Sequence, residues 1–98
     1  MKTLRPMSRI GDITTGHGCW PPSVGITASP NVIIDGLNAH TVGDEFTPHT
    51  CGKDVHSDKA VKGATKVFIN GKPAFRLGDM LQPGAALMAQ ASWTVFAA

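Results

Sequence analysis

Ninety-eight residues with 11 Gly, 7 Pro, no Tyr and only 16% charged side chains describe one small, turn-rich unit with a thin core, because a chain of this size buries about 60–65% of the surface it exposes unfolded. Apolar residues at 42% and a net charge of +2 exclude a disordered chain, and the composition is not that of a coiled coil. Lys53, Lys59, Lys62 and Lys66 are interleaved with Asp54 and Asp58, so no basic stripe forms and nucleic acid is not expected as a partner.

From the N-terminus, Met1 to Met7 carry two cations but no apolar run, so no secretory signal is read there. Synthesis and folding in the cytoplasm are expected, with export by another route. Arg9-Ile10-Gly11-Asp12 reads as a strand end and a corner, followed by the loop His17-Gly18-Cys19-Trp20-Pro21-Pro22. Asn31 to Asp44 reads as strand, Asp35-Gly36 turn, strand and a second Gly-Asp corner. The segment His49-Thr50-Cys51 and a long loop with His56 follow. Lys66 to Asp79 then repeats Asn31 to Asp44 without a gap, at a shift of 35 residues, with Asn70-Gly71 at the turn. Asp-Gly and Asn-Gly supply the positive φ that tight hairpins need. Pro83 to Gln90 is the only candidate helix, about two turns long, with proline at its start. Ser92 to Phe96 forms the last strand. The apolar stretch from Ala85 to Ala98 is too short to cross a bilayer.

The repeat makes residues 1–98 a single domain with quasi-repeats centred on 31–44 and 66–79 and a third copy split between 9–19 and 84–98. Three similar β units can close around a pseudo-threefold axis, giving a tapering all-β body of short hairpins. One end is then a flat base of short strands, a surface that ordinarily has a partner. The aspartates of the corners, Asp12, Asp44 and Asp79, are expected to fix their turns by accepting from the backbone two residues on.

The same symmetry brings His17, Cys19, His49 and Cys51 together. In a reducing cytoplasm the two cysteines favour metal ligation over a disulfide. His17, His40, His49 and Cys51 form a tetrahedral set suited to one structural zinc; His56 and Cys19 are the alternates. Such a cross-link would support a thin core, since structural zinc contributes on the order of 10–16 kcal/mol. Loss of His49 is expected to cost far more stability than loss of Asp58. The competing class is a small zinc-dependent hydrolase or nuclease with Asp44, Glu45 or Asp54 as base. No His-Glu-x-x-His helix, Ser-His-Asp set or phosphate loop is present, and no catalytic residues are assigned.

Pro73-Ala74-Phe75-Arg76 before Gly78-Asp79 resembles the Pro-Ala-Ala-Arg signature of PAAR-repeat proteins, with Phe75 in place of the second Ala. Gly16 to Pro22, His40 and His49-Thr50-Cys51-Gly52 are also similar to segments of that family, and the likeness covers roughly residues 8–98. The first hairpin departs from the signature with Asn38-Ala39-His40-Thr41. The resemblance implies a small β cone, with at most one short helix, that caps the trimeric β-helical spike of type VI secretion systems (VgrG) or of contractile phage tails. It implies one cone per trimer, bound through the base, and a zinc near the apex held by three His and one Cys, which by position are His17, His40, His49 and Cys51. It further implies a role in piercing membranes, with export on the spike or incorporation in a tail tip. Separate effector proteins are possible passengers; no toxin domain is expected on this chain.

Overall fold

The structure, a computed structural model, describes residues 4–83 and 86–98. Among the described residues there are ten short strands and no helix: β1 Arg5–Pro6, β2 Ile33–Ile34, β3 Leu37–Asn38, β4 His49–Cys51, β5 Asp54–His56, β6 Lys59–Ala60, β7 Phe68–Ile69, β8 Lys72–Pro73, β9 Leu81–Gln82 and β10 Phe96–Ala97. All pairings are antiparallel and two-stranded: β1-β10, β2-β3, β4-β5, β6-β9 and β7-β8. The all-β expectation holds. The β2-β3 and β7-β8 turns carry Asp35 and Asn70 at φ 52° and 54°, followed by Gly36 and Gly71 at 81° and 80°. These are the left-handed pairs that two-residue hairpins require.

The helix expected over Pro83–Gln90 does not form in its described part; Gly84 and Ala85 lie outside the described residues. Leu87 and Met88 instead bridge to Met80 and Thr14, and Ala86 accepts from the Leu81 amide at 2.8 Å. An isolated two-turn helix is below the length at which helix formation repays its nucleation, so long-range β pairing takes the segment.

Backbone bonds close a ring around an internal axis. The Ser8 amide donates to Phe75 O (2.8 Å), the Phe75 amide to His40 O (3.1 Å), and the His40 amide back to Ser8 O (2.9 Å). Bridges between Arg9 and Ala39, Thr41 and Ala74, and Arg76 and Met7 run around the same ring. Below it, Met7, Ala39 and Ala74 donate to Val95, Val32 and Val67 at 2.9–3.0 Å. The terminal strands β1 and β10 therefore occupy the place that a hairpin occupies in the other two units. A ring of hydrogen bonds among three segments far apart in the chain satisfies backbone groups that a core of short strands would otherwise strand.

The core has two parts. Met7, Ile34, Ala39, Ala64, Ile69, Ala74 and Ala97 pack among the hairpins and termini. Phe46, Ala60, Phe75, Leu81, Ala86 and Met88 pack on the other side of the ring. The body measures 41 × 29 × 23 Å.

Each Gly-Asp corner is tied by its aspartate. Oδ2 of Asp12, Asp44 and Asp79 accepts from the amide three residues earlier, on Arg9, Thr41 and Arg76, at 2.8, 2.6 and 2.9 Å. The donor precedes the aspartate, not follows it as expected: the chain folds back through Gly11, Gly43 and Gly78 at φ 88°, 99° and 80°, which turns the earlier amide toward the carboxylate.

His40 is one of the three residues of the ring and is fully buried. Its Nδ1 shares a 2.6 Å hydrogen bond with Ser8 Oγ, its ring packs on Phe46 at 5.0 Å, and its Nε2 has no hydrogen-bond partner among the described residues. A side chain at Gly25 would collide with that ring. Burial pulls the imidazole pKa from 6.5 down to about 4, with the Asp44 and Asp12 carboxylates drawing it only partly back. The folded form thus resists a proton that the unfolded chain takes below pH 6.5. The unfolded state binds more protons between pH 6.5 and 4, so stability is full above that window and falls through it, by on the order of 3 kcal/mol. A His40→Leu variant is expected to show a correspondingly flatter decline of unfolding free energy over pH 6.5–4 than the parent, read by urea titration. Parallel declines would remove His40 as the cause.

Candidate metal centre

Two loops and one hairpin build the site. His49 and His56 lie directly opposite one another in the β4-β5 hairpin, which turns through Gly52 at φ 62°. Cross-strand partners of this kind have Cβ atoms about 4.5–5.5 Å apart. His17 enters from a tight turn in which His17 and Trp20 exchange backbone hydrogen bonds at 2.9 and 3.0 Å. Gly16 and Gly18 take φ 70° and 54° there, and a side chain at Gly16 would strike the Trp20 carbonyl at 2.6 Å. Asp58 is held by its backbone, its carbonyl accepting from the Phe46 amide at 3.0 Å.

These elements converge four side chains. The Nε2 atoms of His17, His49 and His56 form a triangle with edges of 3.2, 2.9 and 2.9 Å. Asp58 Oδ2 lies 3.4 Å from Nε2 of both His17 and His49, and Oδ1 lies 3.3 Å from Nε2 of His56. Such a group could hold a metal ion. The donor types fit zinc: bond lengths of about 2.0–2.2 Å give tetrahedral edges of about 3.3–3.6 Å, and the triangle is somewhat tighter than that. His49 Nδ1 donates to the Pro21 carbonyl at 2.6 Å, which leaves its Nε2 lone pair facing inward, the arrangement that outer-shell bonds impose on ligating histidines. Trp20 closes the outer side, with ring centroids 5.1 Å from His17 and 4.9 Å from His56.

Cys19 and Cys51 are joined as a disulfide with a Cα–Cα distance of 5.4 Å, across the same 32-residue separation as His17 and His49. The expected neighbourhood of His17, Cys19, His49 and Cys51 is present, but the sulfurs are paired with each other. The structure pairs the two cysteines with each other where metal ligation was expected, because the equivalent loops bring them within bridging range.

The four gathered donors differ from the expected set at two places. His56, the alternate, stands where His40 was expected, and His40 is in the core because its position on the ring is equivalent to Ser8 and Phe75. Asp58 stands where Cys51 was expected. Asp58 is the residue that sequence reasoning set aside as a control for His49. The missed signal is the two-residue alternation His56, Asp58, Ala60, which puts one side of the chain inward: Asp58 and Ala60 are 1% exposed while Ser57 and Lys59 face solvent. Among the hydrolase candidates, Asp44 is taken up by Thr41 and Thr27, and Glu45 is exposed.

A search of curated proteins returns no match for this chain. A family profile described as the PAAR motif matches residues 15–89, which spans both Gly-Asp corners at Asp44 and Asp79 and all four converging donors. With a closed β ring, two repeated hairpins and this match over most of its length, the chain belongs to the PAAR family.

Proposed function

We propose that the chain is a metal-stabilised spike tip that caps a trimeric β-helical spike, VgrG or its phage-tail counterpart, at one copy per trimer. The observation that carries this is a ring of outward apolar side chains at equivalent places in the three strand pairs. Ile33, Phe68 and Phe96 are 54%, 58% and 48% exposed, while the next residue in each strand, Ile34, Ile69 or Ala97, is buried. Three such side chains in threefold arrangement on one chain suit a symmetric trimer, whose three equivalent chain ends each need one apolar contact. Exposed apolar sets of this kind mark interaction surfaces. At the other side of the ring, the disulfide and the histidine cluster fasten three loops, which is what a point that transmits force requires. The role is mechanical and not catalytic. Export on the secretion spike or assembly into a tail tip, contact with the target membrane only on piercing, and passage of separate effectors belong to the same reading.

Co-expression with a trimeric β-helical spike is expected to yield a complex of one tip per trimer. Phe68→Asp is expected to weaken it about 30-fold, the equivalent of about 2 kcal/mol of apolar burial, with the tip itself still folded. A three-to-three complex, or undiminished binding by a triple Ile33→Asp, Phe68→Asp, Phe96→Asp variant, would overturn the reading.

A further inference from the structure

The three strand pairs that carry Ile33, Phe68 and Phe96 are not closed in the same way. Two-residue turns join β2 to β3 and β7 to β8. β1 and β10 come from opposite ends of the chain and, among the described residues, pair only with each other. A two-stranded pair is marginal in water by itself, so this seam needs a tie from outside. The ties run from the end of each pair to the loop that leads into the next, at equivalent residues. Asn70 Nδ2 donates to Ser29 Oγ at 3.2 Å and to Asn31 Oδ1 at 2.9 Å. The Lys66 amide donates to Ala98 O at 3.1 Å. Asp35 accepts from Ser92 Oγ at 2.5 Å and from Thr94 Oγ1 at 2.7 Å, just before β10.

Of the two hairpin-tip side chains, only Asp35 is charged. Its Oδ2 also accepts from Arg9 Nη1 at 3.3 Å, on the chain just after β1. One carboxylate therefore holds both sides of the seam. Ser92 makes the demand: its Oγ accepts from the Thr94 and Val95 amides, both at 3.0 Å, so its lone pairs are taken and its proton needs an acceptor. Ser29, at the equivalent place, also accepts from two amides but gives its proton to Asn31 Oδ1 within its own loop. Thr94 stands where that asparagine would be and gives its own proton to Asp35, so the acceptor comes from the hairpin tip. The hydroxyls of Ser92 and Thr94, and then the Arg9 charge, hold the Asp35 carboxyl below its ordinary pKa. It is a carboxylate at neutral pH, and its hydrogen bonds are of the stronger, charge-assisted kind.

We propose that Asp35 is the clasp of the β1-β10 seam and the positioning residue for Phe96, the one docking side chain that no covalent turn holds. The role of Phe96 rests on the spike-docking reading above. Ile33 and Phe68 lie in pairs closed by a turn, whereas Phe96 lies opposite Pro6 across the seam. A shift of β10 spoils the threefold match at one place of three.

Asp35→Gly removes the carboxylate and keeps the turn, because glycine takes positive φ freely. Three equivalent pairs of amides report on the three units: Met7 and Ser92 at the seam, Ala39 and Ser29, and Ala74 and Ala64. Hydrogen exchange in Asp35→Gly is expected to quicken at least about ten-fold at Met7 and Ser92 and to stay within about two-fold at the other pairs, as local opening of one unit requires. Asn70→Gly, the same change at the equivalent turn, should not quicken Met7 and Ser92. Asp35→Asn combined with Thr94→Asn copies the Asn70–Asn31 contact into the seam and should restore protection there. Affinity for a trimeric β-helical spike should fall about ten-fold in Asp35→Gly and recover in that double variant. Equal quickening in all three pairs, or none at Met7 and Ser92, would overturn the clasp. Selective quickening with undiminished spike binding would overturn the positioning of Phe96. A parent that does not bind the spike would overturn the docking reading and the role of Phe96 with it, while the exchange pattern still decides the clasp.

Discussion

Removing the metal from the disulfide-intact protein is expected to lower its thermal midpoint on the order of 15–30 °C. The size follows from linkage. Free zinc at about a thousand times Kd adds about 4 kcal/mol to the folded state, and about 1 kcal/mol moves the midpoint of a domain of this length by about 4–8 °C. An ion held there would act on three segments at once: the turn at His17, the β4-β5 hairpin with His49 and His56, and the chain that follows at Asp58. Each is short, and the described chain holds no sheet wider than two strands, so little else resists their separation. His49 is the donor to remove, since its side chain is 3% exposed and its other nitrogen is anchored on Pro21. His49→Ala should melt at the same temperature with zinc as with chelator, whereas His40→Leu should keep the zinc-dependent shift. Thermal unfolding of the three proteins in zinc and in chelator, without reductant, makes the comparison. A parent whose midpoint ignores zinc, or a folded His40→Leu that has lost the shift, would contradict the centre described here.

That contrast between two histidines shows where sequence reasoning works on this fold. The β2-β3 and β7-β8 hairpins were legible because Asp35-Gly36 and Asn70-Gly71 have a local meaning: only certain residues accept φ near 52–81°. The meeting of His17 with His49 and of Cys19 with Cys51 was legible from equivalence between copies, without any local signal. His40 was expected as a ligand from its place at the end of the first hairpin and from the family resemblance, and the structure places it apart from the other three histidines. Its alignment with Phe75 marks a core position, and the structure gives it that place, with Phe46 against its ring. Asp58 was hidden because its neighbours Ser57 and Lys59 are exposed and polar, so the segment reads as a solvated loop unless the alternation with His56 and Ala60 is followed. Pro83–Gln90 failed for a third reason. A proline and a run of alanines state a local preference, and that preference is weaker than the long-range pairing of Leu87 and Met88.

The largest effect of a single change away from the metal is expected at Asp79. The three corner aspartates do the same backbone task with different side-chain company. Asp44 accepts from the Thr41 amide at 2.6 Å, from Thr27 Oγ1 at 2.9 Å and weakly from Thr41 Oγ1. Among the described residues no cation is bonded to it. Asp79 accepts from the Arg76 amide, from Arg76 Nε at 2.9 Å and Nη2 at 3.1 Å, and from Arg5 Nη2 at 2.6 Å. The Arg76 side chain is only 8% exposed, and that of Asp79 3%. Arg76 is the arginine of the Pro-Ala-Phe-Arg segment, so the signature and the Gly-Asp corner are two halves of one buried ion pair. Asp79→Ala leaves the guanidinium buried without its carboxylate, with one further acceptor, Gly63 O at 3.3 Å. Breaking one side of a buried pair costs about 3–5 kcal/mol, whereas Asp44→Ala loses neutral hydrogen bonds at about 1–3 kcal/mol. Asp79→Asn, which keeps the acceptor for the Arg76 amide but not the charge, should fall between. Urea unfolding of the three variants at neutral pH orders them. An Asp79→Ala no less stable than Asp44→Ala would mean that the Arg76 charge finds water when its partner is gone, and that the signature arginine is held by packing and not by the corner it faces.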